Sequence, residues 1–171
     1  MNHKLTSESK VANGVTLFRI EACVDFKLAK KGEVGGWVEK IENVSGDAWV
    51  SDDAQVYGDA RVSGDAWVSG NAWVYGDARV YGNARVYGNA QVSGNARVSG
   101  NAWVYGDAWV SGNARVYGDA CVYGDARVYG DAQVYGKLKL SLGYFFGLRY
   151  RKEEINYQKL DDDYELIYKL D

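Results

Sequence analysis

Few side chains in this 171-residue chain are of types that do chemistry. There is one histidine, His3. General-base catalysis with an imidazole, or zinc held by several imidazoles, needs histidines placed beside other functional groups, and a single one in the first residues offers neither. The two cysteines, Cys23 and Cys121, lie far apart and form no metal or disulfide spacing. A nucleophilic thiol at Cys121 would need a base nearby, and none is evident in the sequence. Carboxylates are more regular. From Asp47 to Asp131 an Asp or Asn returns every sixth residue. Stacked Asp side chains offer oxygen ligands to calcium, but the glycine-rich nonapeptide code of calcium-binding β-rolls is absent. The sequence therefore predicts no catalytic, cofactor-binding or metal-ligating residue and no evident small-molecule substrate.

The recurring Asp belongs to a larger pattern. Valine occupies every sixth position from Val44 to Val134, sixteen times without a miss. The unit [Ser/Tyr]-Gly-[Asp/Asn]-Ala-x-Val fills residues 45–134 in fifteen contiguous copies, and only Asp52 replaces a fixed letter, a Gly. Six is divisible by two and not by 3.6. Ala-x-Val-[Ser/Tyr] alternates apolar and variable, so Ala and Val point one way and the variable pair the other, as in a strand. Gly-[Asp/Asn] then supplies a corner, because Gly accepts a positive φ and Asp or Asn tolerates the left-handed region. Each unit reads as one short strand plus one corner. If three units make a coil, it buries three Val, about 2 kcal/mol each, against about 1 kcal/mol or more of conformational entropy per residue. Only stacking of coils closes that gap.

These residues resemble the hexapeptide-repeat proteins, in which an aliphatic residue is followed four positions later by a small one, as in Val50…Ala54 and Val56…Ala60. The near-perfect Tyr-Gly-Asp-Ala-x-Val form is similar to a bacterial and phage subgroup often labelled putative transferase or polymer-forming protein, and residues 17–40, LFRIEACVDFKLAKKGEVGGWVEK, are similar to the N-terminal cap of such proteins. The resemblance implies an all-β fold: a left-handed parallel β-helix of about five coils, three hexapeptides each, with caps at both ends. At about 4.8 Å per rung the regular part is about 24 Å tall. Many relatives are acyltransferases that use a catalytic His and a loop inserted between coils, and the carbonic anhydrases of this fold bind zinc through three His. Only His3 is present and the array has no insertion. The resemblance therefore points to a non-enzymatic protein, with a degenerate acyltransferase-fold protein as one alternative.

The predicted organisation is a flexible start and β cap over residues 1–43, the repeat array over 44–136, and a strand-rich C-terminal cap or docking element over 137–171. Val15–Ile20 reads as a strand, and Lys30-Lys31-Gly32 and Gly35-Gly36 as turns. In the tail, residues 144–150 and 164–170 read as apolar, aromatic strands, with room for a helical turn between.

Every eighteenth residue falls on one face of the prism. The first face shows Trp49, Trp67, Arg85, Trp103 and Cys121, the second Gln55, Trp73, Gln91, Trp109 and Arg127, and the third Arg61, Arg79, Arg97, Arg115 and Gln133. Beside the first runs Ser51, Ser69, Tyr87, Tyr105, Tyr123. All are expected to point outwards. Parallel in-register strands favour β-formers outside as well as inside, yet Trp, Tyr and Arg are also the types that dominate protein–protein hot spots. The expectation is a protein-binding surface, self-association included, on the Trp49/Trp67/Trp103 face with Tyr87 and Tyr105. The Trp73/Trp109 face and the Arg61/Arg79/Arg97/Arg115 face are further candidates. A phage-encoded inhibitor of a host defence protein is the alternative. In the corners, Asn fills the middle coils and Asp both ends, an arrangement that lets amides bond rung to rung.

Charge excludes some classes. Residues 1–43 carry 7 basic and 6 acidic side chains, 44–136 carry 6 Arg and 10 Asp, and 137–171 carry 7 of each, for a total of −3. This is not a nucleic-acid-binding balance. Only Thr6 and Thr16 are present, so no ice-binding Thr ladder exists. No apolar run spans a bilayer, the opening MNHKLTSESK predicts no secretory signal, and the cysteine usage predicts a reduced, cytoplasmic protein.

Overall fold

The computed structural model describes residues 2–147 and the strands Asn156–Lys159 and Glu165–Tyr168. Each repeat forms one short strand, x-Val, followed by a corner; fourteen of the fifteen strands are two residues long and Arg127–Gly130 is four. Strands eighteen residues apart pair in parallel, Trp49 with Trp67 and Val50 with Val68, then Trp67 with Arg85, and so on. Three sheets result, one per face, and the first face alone carries six strands. The chain is an all-β parallel β-solenoid of about six turns; its one helical element in the described residues is the single 3₁₀ turn Ile41–Asn43. The stack is longer than the fifteen repeats because it recruits both flanks. Trp37 and Val38 pair with Gln55 and Val56, Val44 bridges to Val62, and Lys139-Leu140 pairs with Cys121-Val122.

Inside, the repeating Ala and Val are fully or almost fully buried from Val44 to Val134. Each rung is bonded to the next through the variable and corner residues, as in Trp49 N–H to Ala66 O at 2.9 Å, Ser51 N–H to Val68 O at 2.9 Å and Asp53 N–H to Gly70 O at 3.0 Å. The corner glycine is required twice over. Its φ is positive, +72° at Gly88, and a Cβ there would lie 3.0 Å from the backbone nitrogen of Gly106. Asp52, the one departure, keeps the positive φ at +57°, and its carboxylate accepts a hydrogen bond from Gly70 N–H at 2.9 Å. Asp tolerates this region better than most residues.

The N-terminus departs from the sequence-based expectation. The segment expected to be flexible is strand β1, His3–Ala12, paired antiparallel with β2, Val15–Ala22, across the turn Asn13-Gly14, where φ is +52° and +76°. Asn-Gly is the preferred pair for such a two-residue hairpin. Strand β2 pairs antiparallel with β3, Val34–Val38, which joins the solenoid in parallel. Gly35 and Gly36, expected as a turn, lie inside β3. They press so close to the first rung that a Cβ on Gly35 would meet the Trp49 ring at 2.7 Å, and one on Gly36 the Val50 side chain at 2.7 Å. Gly32 does turn, with φ +85°.

At the other end Tyr144–Gly147 pairs in parallel with Arg127–Gly130, and Asn156–Lys159 pairs antiparallel with Glu165–Tyr168. The tail strands expected at 144–150 and 164–170 are thus present over 144–147 and 165–168, and the rest of both expectations lies outside the described residues.

Replacing Gly88 with Ala tests the corner. It adds a Cβ in a positive-φ conformation and against the next rung, so unfolding free energy by urea titration should fall by about 1–2 kcal/mol. A change to Ala at Gln91, an outward strand position between Ala90 and Val92, should move it by less than about 0.5 kcal/mol.

Candidate functional site

The solenoid turns every variable position into a column, and the columns form three unlike faces. On the first face, Arg85 lies between two indoles, 5.6 Å from the ring centres of both Trp67 and Trp103. Beside it Tyr87, Tyr105 and Tyr123 stack with ring centres 4.9 and 5.1 Å apart, nearly parallel. Trp103 meets Tyr87 and Tyr105 edge-on at 6.2 and 6.5 Å. Burial within the stack raises the phenol pKa of Tyr87 and Tyr105. Trp103 is 40 % exposed and Tyr87 and Tyr105 are half-buried. Trp67 is half-buried and its indole N–H donates to Ser51 Oγ at 2.9 Å.

Trp49 does not belong to this surface. It is 1 % exposed, packed against His3 at 5.9 Å and Phe26 at 5.7 Å. The cap folds over the first rung and turns a column position into core. His3, expected in a flexible start, is 2 % exposed and its Nε2 lies 2.8 Å from Ala48 O. A carbonyl only accepts, so Nε2 carries the proton. Burial lowers the His3 pKa, partly opposed by that backbone bond. Four rungs, about 19 Å, separate the His3–Trp49 contact from Cys121, so the histidine does not serve that thiol as a base. Gln55, also expected outside, is 9 % exposed, and its Oε1 has no hydrogen-bond partner.

The second face alternates amides and indoles. Trp73 is half-buried between Gln55 and Gln91, and Trp109 is 37 % exposed with its N–H on Ser93 Oγ at 3.2 Å. Arg127 lies 5.4 Å from the Trp109 ring and 5.8 Å from Tyr144. A shallow groove of about 430 Å³ runs along Asp53, Gln55, Asn71, Trp73, Asn89 and Gln91. On the third face Arg61, Arg79, Arg97 and Arg115 are all exposed and stand in register. A second groove, about 330 Å³, is lined by Ser45, Arg61, Ser63, Arg79, Tyr81 and Arg97.

The corners bond along the axis, as the Asn pattern implies. Asn71 donates to Asn89, Asn83 to Asn101, and the last amide of each run to an Asp: Asn89 to Asp107, Asn101 to Asp119, Asn113 to Asp131, at 3.0–3.3 Å. An amide is both donor and acceptor, so it extends the run, while a carboxylate only accepts and ends it. The corner Asp residues nearest the N-terminus are met by the cap instead: Asp47 by Asn2, Asp53 by Arg19, Asp59 by Lys40 and Asp65 by Lys27. Lys40 holds the Asp59 carboxyl below the usual range. Among the described residues no cluster of three or more His, Cys, Asp or Glu side chains is placed to hold a metal ion.

Residues 54–70, 78–94, 90–106, 108–123 and 120–136 match the family model described as the YdcK beta solenoid repeat. The chain is a β-solenoid repeat protein. No curated protein matches it, and no helix among the described residues is long and apolar enough to cross a membrane.

The cap residues could have been found from two signals in the sequence, Asn13-Gly14 between alternating apolar residues and the glycine pair preceding Trp37-Val38. His3 carries a pH prediction. Its folded pKa is below the ordinary value of about 6.5. Above that value both states are neutral and the cap has its full stability. As pH falls below it, the unfolded chain takes up the proton first and stability declines. Thermal melts followed by tryptophan fluorescence should therefore lose stability between pH 7 and pH 5.5, and a His3→Gln variant should show a flatter profile in that window.

Proposed function

We propose that this protein is a non-enzymatic rod whose first face binds protein, a second copy of itself being the primary partner. The observation that carries the reading is the Trp67–Arg85–Trp103 sandwich beside the Tyr87–Tyr105–Tyr123 stack, with Trp103 40 % exposed. These side chains are held by one another, so little rotamer entropy remains to be lost on binding, and they are the types that anchor interfaces. The regular, flat lattice presented by one copy offers a matching lattice to another. The sense of winding goes with this proposal: the repeats resemble left-handed hexapeptide proteins, and the fifteen copies make five left-handed coils within the longer stack. The non-enzymatic reading is supported by the chain's one histidine being committed to Ala48 O. A cytoplasmic, reduced setting suits the two free cysteines, Cys23 and Cys121.

Sedimentation velocity over a range of protein concentrations tests the proposal, with the wild type beside a Trp103→Ser/Tyr105→Ser variant. The expected result is an oligomer that reverts to monomer in the variant, at least about tenfold weaker in self-affinity. A wild type that stays monomeric at every concentration removes the self-association reading. A stoichiometric foreign protein, captured by the wild type and released by the same variant, would then assign the face to an inhibitor or adaptor.

A further inference from the structure

We propose that the third face is a binding site for oligophosphate, a chain of three or more linked phosphoryl groups. The inference is independent of the protein-binding reading, because it uses a different face and different residues. Six arginines lie in the repeat array. Two of them, Arg85 and Arg127, lie over aromatic rings. The other four, Arg61, Arg79, Arg97 and Arg115, make the third-face column. Among the described residues none of these four lies over an aromatic ring or within ion-pair distance of a carboxylate. Their strands pair in register, so the charges repeat at about 4.8 Å. Like charges directly opposite each other on neighbouring strands are destabilising. The column is a row of cations lacking an anion.

The surroundings keep that charge available. Arg97 is flanked in its own repeat and the next by Asn95 and Asn101, whereas Arg79 and Arg115 each have one Asn and one Asp neighbour, Asn83 with Asp77 and Asn113 with Asp119. The two Asp residues flanking Arg61 are engaged by cap lysines, Asp59 by Lys40 at 2.8 Å and Asp65 by Lys27 at 3.5 Å. At physiological salt screening confines each charge to about 8 Å, so Arg97, bordered by amides on both sides of its own turn, is the arginine least offset by carboxylates. Arg61, Arg79 and Arg97 line the groove together with the hydroxyl-bearing Ser45, Ser63 and Tyr81. Guanidiniums match phosphoryl oxygens as bidentate donors, and serine and tyrosine hydroxyls add neutral donors. One phosphate can bridge two neighbouring guanidiniums. Engaging three, over about 10 Å of axis, takes a chain of them. The groove volume, about 330 Å³, suits a small linear anion.

Calorimetry with the full chain and inorganic tripolyphosphate tests this. Tripolyphosphate should bind at one per chain and at least about tenfold more tightly than inorganic phosphate, with affinity falling as salt rises. Arg97→Gln should weaken it about tenfold, and Arg79→Gln/Arg97→Gln about a hundredfold. These variants are expected to fold, because the same column already holds Gln133. Arg127→Gln, on another face, should bind as the wild type does, and so should Trp103→Ser/Tyr105→Ser. Two sources share the chemistry. ATP binding more tightly than tripolyphosphate assigns the site to a nucleotide whose base lies beside Tyr81, and equal or weaker binding assigns it to the inorganic chain. Phosphate binding as tightly as tripolyphosphate overturns the proposal. So does equal loss in Arg127→Gln, or binding of single-stranded DNA without binding of tripolyphosphate.

Discussion

The rung-to-rung repeat is the constraint from which the other features follow. Eighteen residues return the backbone to the same place one strand spacing along the axis, about 4.8 Å, and this works only if every corner is alike. The positive φ of the corner glycine and the next rung's backbone, which leaves no room for a Cβ there, set that corner. Once the corners superpose, the Ala and Val columns superpose, the core becomes continuous, and each rung bonds to the next through its variable and corner residues. A rung alone has no core of its own, so stability resides in the interfaces between rungs.

The same constraint forces every side chain onto its own kind of column, which is favourable for some chemistries and unfavourable for others. Tyrosines stack. Asparagines donate to the next amide or carboxylate. Arginines on the first and second faces alternate with indoles and gain from the rings. Aspartates repel; Asp107, Asp119 and Asp131 accept from the ends of the amide runs and the first turns' Asp residues are reached by Asn2, Arg19, Lys27 and Lys40 of the cap, whereas Asp77 and Asp125 stand one rung from another Asp. The third-face arginines have neither ring nor carboxylate contact within the described residues.

The repeat made the solenoid legible in the sequence almost to the residue, because a six-residue code repeated fifteen times carries its own register. Three units per coil is what the hexapeptide resemblance implies, and with that number the columns and the asparagine ladders follow from the code by arithmetic. The code falls silent where the chain stops repeating. Trp49 occupies a column position that points outwards in later turns, and nothing within the repeat says that His3 and Phe26 will cover it. Gly35-Gly36 reads as a turn by composition, whereas the tight approach of β3 to the first rung is what requires glycine there. Burial at a cap is set by a long-range contact, and no local periodicity encodes it.

That difference also governs what a site on this scaffold can be. A pocket built from loops collects unlike groups at one point, whereas a solenoid face offers the same group at equal steps. The geometry of such a face matches ligands that are themselves regular, such as another ladder, a sheet or a linear chain of like charges. Selectivity then comes from the sequence along the column. Arg85 between Trp67 and Trp103 makes a cation shielded by rings, whereas Arg97 between Arg79 and Arg115 makes a cation amplified by its neighbours. Both are one arginine on one identical backbone position. What distinguishes them is the residue eighteen places before and after, so substitution at a single rung can change the chemistry of a face without altering the fold that presents it.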